Sequence, residues 1–285
     1  MKDGKTILSQ WADDGQCDLT IDTSTDQALS STLMRGLEIL GLYSDTEDRL
    51  SNSEIARRLG LNRATVSRLC KTLVHMGYLR RDPKGLFRLA PQILSLAYPV
   101  LAATRWRHRL IPPMREIAEM SNGNVSLCVM SDDRFVQVQP VGDPASFPHI
   151  PEPGITGPLL RSASGRSLLA LLEGQELNDK LAELRMRFPE DFDKYAEPTF
   201  AAIQRCREEG FCVAYGEWRP NIVALSTPLG QTEDGLYVAL SCGLPRFRAR
   251  EDVIENDLGP RMAEAANSIR MMGVFRAPSF AKQRA

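Results

Sequence analysis

The spacing of apolar positions changes along this chain, and each change marks a different kind of structure. From Ser31 to Tyr43 apolar side chains recur at 33, 34, 37, 40 and 42, with Arg35 and Glu38 outside, which predicts a helix. A second helix is predicted to open at Ser51, because Glu54 three residues on can complete a capping box. Its inner face is Ile55, Ala56 and Leu59, and Gly60 ends it. Asn62 can cap a third helix running to about Met76. There Val66, Leu69, Cys70 and Leu73 mark one face, while Arg68, Lys71 and His75 project opposite and Arg63, Thr65 and Ser67 occupy the first turns. Gly77 stops it. Tyr78 to Leu89 then reads as two strands around the turn Asp82-Pro83-Lys84-Gly85.

Beyond residue 90 the pattern is mixed. A linker helix is expected from about Gln92 to Arg105, then a helix across Pro112-Pro113 ending near Met120, with Asn122-Gly123 as a turn. Two alternating runs, 124–130 and 134–141, predict a hairpin around Asp132-Asp133. Five prolines between 144 and 158 make that stretch a loop. Helices are expected at about 165–173, 176–187 and 198–209, the last with Pro198 at its first position. Strands at about 211–216, 222–228 and 236–243 and a helix at about 251–272 complete an α/β layer domain.

Composition changes the picture mainly through charge. The formal balance is -1 overall, yet residues 51–90 alone hold nine basic and two acidic side chains. Residues 1–28 carry six acidic against two basic and no apolar period, and are read as a disordered acidic arm. Residues 112–285 are net acidic by five charges. At 285 residues the chain has room for about two domains, by the rule of ~150 residues each. A basic module joined to an acidic one suggests that only the first meets phosphate. The cysteines at 17, 70, 128, 206, 212 and 242 form no C-x-x-C pair, and the only histidines are 75, 108 and 149, so no metal or other cofactor is expected. Cys128 and Cys242 fall inside apolar strands and read as buried small hydrophobes. Scattered cysteines, the lack of a signal-peptide pattern and the lack of an apolar run near ~18 residues suggest a cytoplasmic protein away from any membrane.

Two short helices separated by that turn form a helix-turn-helix, which presents the start of its second helix to base edges in the major groove. Arg63, Thr65, Ser67 and Arg68 suit the task, since arginine can fork onto guanine and hydroxyls reach bases or phosphate. The hairpin is then the wing of a winged helix, with Arg80, Arg81, Lys84 and Arg88 toward the DNA backbone. The alternative is a winged-helix module that binds protein and answers to no ligand. Enzyme readings are weak: Ser162-Ala-Ser-Gly165 is not a hydrolase elbow, and no phosphate loop or G-x-G-x-x-G occurs.

Several segments resemble one family. Arg35-Gly-Leu-Glu-Ile-Leu40, Ser53 to Leu69 and Gly77-Tyr-Leu79 look like the DNA-binding domain of the isocitrate lyase regulator (IclR) family. Gly157 to Ala170 matches its Pro-Leu…Ser-Ala-x-Gly-x-x-Leu-Leu-Ala motif. Glu208-Glu-Gly-Phe211, Gly216-Glu217, Val223 to Pro228 and Ala239 to Pro245 resemble later segments. The resemblance covers about residues 30–273. It implies a transcription regulator with an N-terminal winged helix-turn-helix (29–90), a linker helix (91–108) and a C-terminal GAF-like α/β effector domain (109–274), followed here by an expected disordered tail (275–285). It also implies operator DNA and a small metabolite as partners, and a homodimer or a dimer of dimers.

Carried over residue by residue, the family's DNA contacts fall on Arg35, Ser51, Gly60, Arg63, Thr65 and Arg68, beside Ser67, Arg81 and Lys84 from the reading above. Its effector pocket falls on Phe147, His149, Gly157, Ala163, Ser164, Ala214, Ile222, Ala224, Ser241 and Gly243. Free amides at the start of the helix after Ser164, with Ser164 as cap and Arg161 or Arg219 nearby, suggest an anion site and hence a small organic acid from a catabolic pathway. Trp218-Arg-Pro-Asn221 departs from the family pattern, with Asn221 where glycine is common.

Overall fold

The computed structural model describes residues 29–44, 46–142 and 152–281; the acidic arm, Phe147 and His149 lie outside them. The chain divides into two compact units between Ala103 and Thr104. The first holds α1 (Ser31–Gly41), α2 (Asn52–Arg58), α3 (Arg63–His75), β1 (Leu79–Arg81), β2 (Phe87–Leu89) and α4 (Gln92–Ala103). Local chemistry sets its boundaries. The Glu54 amide donates to Ser51 Oγ at 3.2 Å and the Ser51 amide to Glu54 Oε2 at 2.8 Å, the reciprocal box expected from the sequence. Gly60 takes a φ of +61°, open to glycine at little cost, and turns the chain so that Asn62 Oδ1 can accept from the Thr65 amide at 2.8 Å. Ile39, Ile55, Val66, Leu69, Cys70, Leu73, Leu79 and Phe87 close over one core. Leu50 and Phe87 exchange backbone hydrogen bonds of 3.0 and 2.9 Å, which stitches the segment before α2 to the wing. By contrast α4 buries none of its residues.

In the second unit a 3-10 turn (Arg105–Leu110) leads into α5 (Ile111–Ser121), and then come β3 (Asn124–Ser131), β4 (Arg134–Val141), β5 (Thr156–Pro158), α6 (Ala163–Leu169), α7 (Gly174–Arg187), α8 (Pro189–Glu208), β6 (Cys212–Tyr215), β7 (Ile222–Gln231) and β8 (Tyr237–Pro245). The six strands form one antiparallel sheet in the order β5-β4-β3-β8-β7-β6. Glu251–Val253 opens α9, a π turn spans Ile254–Leu258, and α10 covers Gly259–Met271. The widened turn precedes Pro260, which has no N–H to return to the preceding turn. One sheet face, with Val125, Leu127, Leu225, Leu240 and Cys242, packs on α5 and α10; the other meets α6 through Cys128, Phe135, Ala214 and Ala239.

Three boundaries differ from the sequence reading. The helix after the proline-rich stretch starts at Ala163, because Ser162, not Ser164, is its cap: the Gly165 amide donates to Ser162 Oγ at 3.0 Å. Gly165 is obligatory there, since a Cβ would lie 2.3 Å from Leu159 Cα. The helix expected from Pro198 begins at Pro189, whose missing N–H is harmless at a first position, and Pro198 lies inside it. The tail is ordered from 275 to 281. Phe275 is buried in the core, the Arg276 amide donates to the Gln231 carbonyl at 2.7 Å, and Ser279 bonds Glu173. Its apolar anchor and its strand-edge pairing explain the correction.

Candidate nucleic-acid interface and ligand face

The recognition helix divides cleanly. Val66, Leu69, Cys70 and Leu73 are buried, while Arg63, Ser67, Arg68 and Lys71 are exposed and Thr65 is half-buried. None of Arg57, Arg63, Arg68, Lys71, Arg80 or Lys84 enters a salt bridge among the described residues, so uncommitted cations line α3 and the wing, with Arg57 on α2. Arg35 is exposed on α1 and Gly60 on the turn. The Ser51 hydroxyl already serves the Glu54 amide. Two other sequence candidates are committed elsewhere. Arg88 pairs with Asp48 rather than facing the backbone, and Arg81 lies over the Phe87 ring at 4.8 Å. Lys84, at the wing tip, remains the clean phosphate probe.

Arg63→Ala is therefore expected to weaken operator binding by about 1–3 kcal/mol while leaving nonspecific DNA nearly unaffected, because a base-edge fork is lost. Lys84→Ala should weaken all duplexes alike and flatten the salt slope by about one unit. Fluorescence anisotropy titrations on both duplexes over a salt series separate the two. Equal losses on both sequences from Arg63→Ala would remove α3 from base reading.

The α6 side of the sheet carries a second candidate. Strand register places Asn124 and Ser126 (β3), Ser241 and Gly243 (β8), and Ile222 and Ala224 (β7) on one face. Ile222, Ala224 and Gly243 stay half-exposed, although their neighbours Val223, Leu225 and Cys242 on the opposite face are fully buried. A Cβ on Gly243 would meet only Ile222 Cγ2 at 3.7 Å and Asn124 O at 3.9 Å. Among the described residues this stretch of the face is only partly covered, and it is floored by small residues. Asn124 Oδ1 is buried beside it without a hydrogen-bond partner among the described residues. Ser241 Oγ donates to the Leu225 carbonyl at 3.1 Å.

Of the other expected wall positions, Ala214 is the cross-strand partner of Ala224 and borders this patch, though it is itself buried. Ala163 and Ser164 are buried in the first turn of α6, where Ser164 lowers the thiol pKa of Cys128 against a stronger upward push from burial, which leaves it at about 12. The space before Gly157 is taken by Phe135 and by Trp218, whose rings meet edge to face at 5.3 Å. Arg161 pairs with Asp191 at 3.2 Å and Arg219 stacks on Trp218. The anion site expected at the helix start loses one amide to the Ser162 cap, and α6 is only seven residues long.

Sequence reasoning missed Arg166. It is 2% exposed, its Nε donates to the Leu160 carbonyl at 2.8 Å, and its Nη1 donates to Glu217 Oε2 at 2.7 Å. The signal was present: Arg166 is the only charge between Ser162 and Leu172, inside an apolar run. By fixing Glu217 it anchors the loop that carries Trp218 across to Phe135.

A winged helix with free cations on its recognition helix, joined to a separate α/β domain with an open, partly polar sheet face, defines a DNA-binding regulator with a sensing domain. The family models agree. The IclR helix-turn-helix domain matches residues 32–83 and the bacterial transcriptional regulator IclR C-terminal domain matches 99–271. The chain belongs to the IclR family of transcriptional regulators.

An IclR family transcriptional regulator from Brucella abortus is 32% identical with a TM-score of 0.76, over 87% of this chain and 94% of that one. The Pca regulon regulatory protein of Pseudomonas putida is 22% identical over 86% of this chain and 84% of its own length. The p-hydroxybenzoate hydroxylase transcriptional activator of Acinetobacter baylyi is 21% identical over 84% and 90%. The fold is also that of an IclR homologue from Microbacterium hydrocarbonoxydans complexed with 4-hydroxybenzoate, at 20% identity and a TM-score of 0.62 over 85% and 100%. These relatives are named as regulators, not enzymes. No helix among the described residues is long and apolar enough to cross a membrane.

Proposed function

We propose that this regulator binds its operator as a homodimer and that a small organic acid bearing a hydrogen-bond donor tunes that binding from the half-open sheet face. The observation that carries the ligand reading is the pairing of the partly exposed Gly243, Ile222 and Ala224 with Asn124 Oδ1, buried and without a hydrogen-bond partner among the described residues. A buried acceptor without a donor costs about 1–3 kcal/mol, and a ligand hydroxyl would recover that. Relatives named for aromatic-acid catabolism make hydroxylated aromatic acids the first class to try. Occupancy biases a two-state equilibrium of the sensing domains, which changes the spacing of two DNA heads. The homodimer rests on exposed leucines of α1 and on α4, which shows Leu94, Leu96, Tyr98 and Val100 to solvent in one protomer.

The test is a thermal-shift and calorimetry panel of hydroxylated and plain carboxylic acids. A ligand at a hundred times its dissociation constant should stabilise by about 2.7 kcal/mol. Gly243→Val adds bulk to that face within the second unit. The variant is expected to keep operator affinity and melting temperature while losing the ligand shift. A variant that still binds the same acid with wild-type affinity would put the ligand elsewhere.

A further inference from the structure

The acidic run ahead of α1 takes no part in either candidate site. Of the six carboxylates ahead of α1, five fall at Asp13, Asp14, Asp18, Asp22 and Asp26, and no lysine or arginine occurs between Thr6 and Ala28. This run leads into the module whose α3 and wing carry Arg63, Arg68, Lys71, Arg80 and Lys84 without ion pairs among the described residues. Two other arginines of the module find carboxylates: Arg58 on α2 holds Glu47 at 2.5 Å, and Arg88 on the wing strand β2 holds Asp48. Five cations of α3 and the wing still stand without ion pairs among the described residues, on the elements expected to meet DNA.

We propose that the segment carrying Asp13 to Asp26 docks on the α3 and wing face of its own module when DNA is absent, and competes there with duplex of unrelated sequence. Reach permits it. A winged-helix module of about 60 residues is about 27 Å across, so its half-girth is about 43 Å. The 18 residues from Asp13 to Ser31 span up to about 60 Å when extended. Tethering makes the encounter intramolecular, at an effective concentration near ~1 mM. Nonspecific duplex binds through phosphate charge alone, so a tethered polyanion opposes all of that binding. Operator DNA adds base contacts from α3, which carboxylates do not imitate, and displaces the segment. The arm thus widens the ratio of specific to nonspecific affinity.

The experiment uses the full chain. Asp13→Asn, Asp14→Asn, Asp18→Asn, Asp22→Asn and Asp26→Asn are combined. The control neutralises five exposed carboxylates of the second unit: Glu116→Gln, Glu119→Gln, Asp193→Asn, Glu197→Gln and Glu264→Gln. At about 50 mM salt the arm variant should bind nonspecific duplex about tenfold more tightly than wild type, with the gain shrinking as salt rises. The control should change by less than about twofold. Carbodiimide coupling in wild type without DNA should join Asp13–Asp26 to Lys71 or Lys84 within one chain, and added duplex should abolish the product. Equal duplex affinity for arm variant and control would overturn the proposal. So would coupling products that are absent, or that persist when duplex is bound.

Discussion

Replacing Arg166 with alanine is expected to lower the stability of the second unit by about 3 kcal/mol, the low end of the range for removing one partner of a buried ion pair. The low end applies because Glu217, whose side chain is 26% exposed, keeps part of its hydration. The loss has three sources. Glu217 loses its counter-charge, the Leu160 carbonyl is left with only the Thr199 hydroxyl at 2.7 Å, and a cavity opens beneath α6. Because Glu217 leads directly into Trp218, the ring should also loosen against Phe135. Urea unfolding followed by tryptophan fluorescence reads both effects. Arg166→Met combined with Glu217→Gln should recover much of the loss, since removing both charges avoids an unpaired one. A loss under about 1 kcal/mol for Arg166→Ala would mean that the pair is not a structural anchor.

Placing charge on the uncovered helices should have the largest effect on DNA. Leu33 on α1 and Leu94 on α4 are 62% and 71% exposed, so glutamate at both barely disturbs the protomer. If those faces hold two copies together, Leu33→Glu with Leu94→Glu leaves a 31.7 kDa monomer. Operator affinity should then fall by about 10³, the gain that joining two heads supplies without new contacts. Light scattering with and without operator DNA checks the mass, and circular dichroism checks that helix content persists. A wild-type protein that runs only as monomer under both conditions would refute the assignment.

The first unit was legible because its signals are local. Ser51 with Glu54, Asn62 ahead of α3 and Asp82 to Gly85 each act within a few residues, and the structure shows each bond expected. Hairpin β3–β4 was legible for the same reason, since alternation over eight residues specifies both strands. What escaped depends on distance. Ser162 and Ser164 are equivalent as caps until the packing of Gly165 on Leu159 selects one. Pro198 looked like a helix start because proline favours that position, yet Pro189 nine residues earlier holds it. Arg166 reads as a surface charge unless Glu217, 51 residues later, is known to meet it. The ligand face needed strand order: Asn124, Ser241 and Gly243 become neighbours only because β3 pairs with β8. Alternation finds strands; it does not say which of them lie side by side.

The pair of backbone hydrogen bonds between Leu50 and Phe87 fixes the wing relative to the rest of its module. Without them the wing would be a two-stranded flap, marginal by itself and free to seek phosphates at several separations from α3. With them, the segment before α2, the wing and α3 form one gauge of fixed length. Such a gauge does not tolerate a stretched target. If α3 reads bases and Lys84 meets phosphate, as proposed, one base pair inserted between those contacts would put the two sets out of phase by about 3.4 Å.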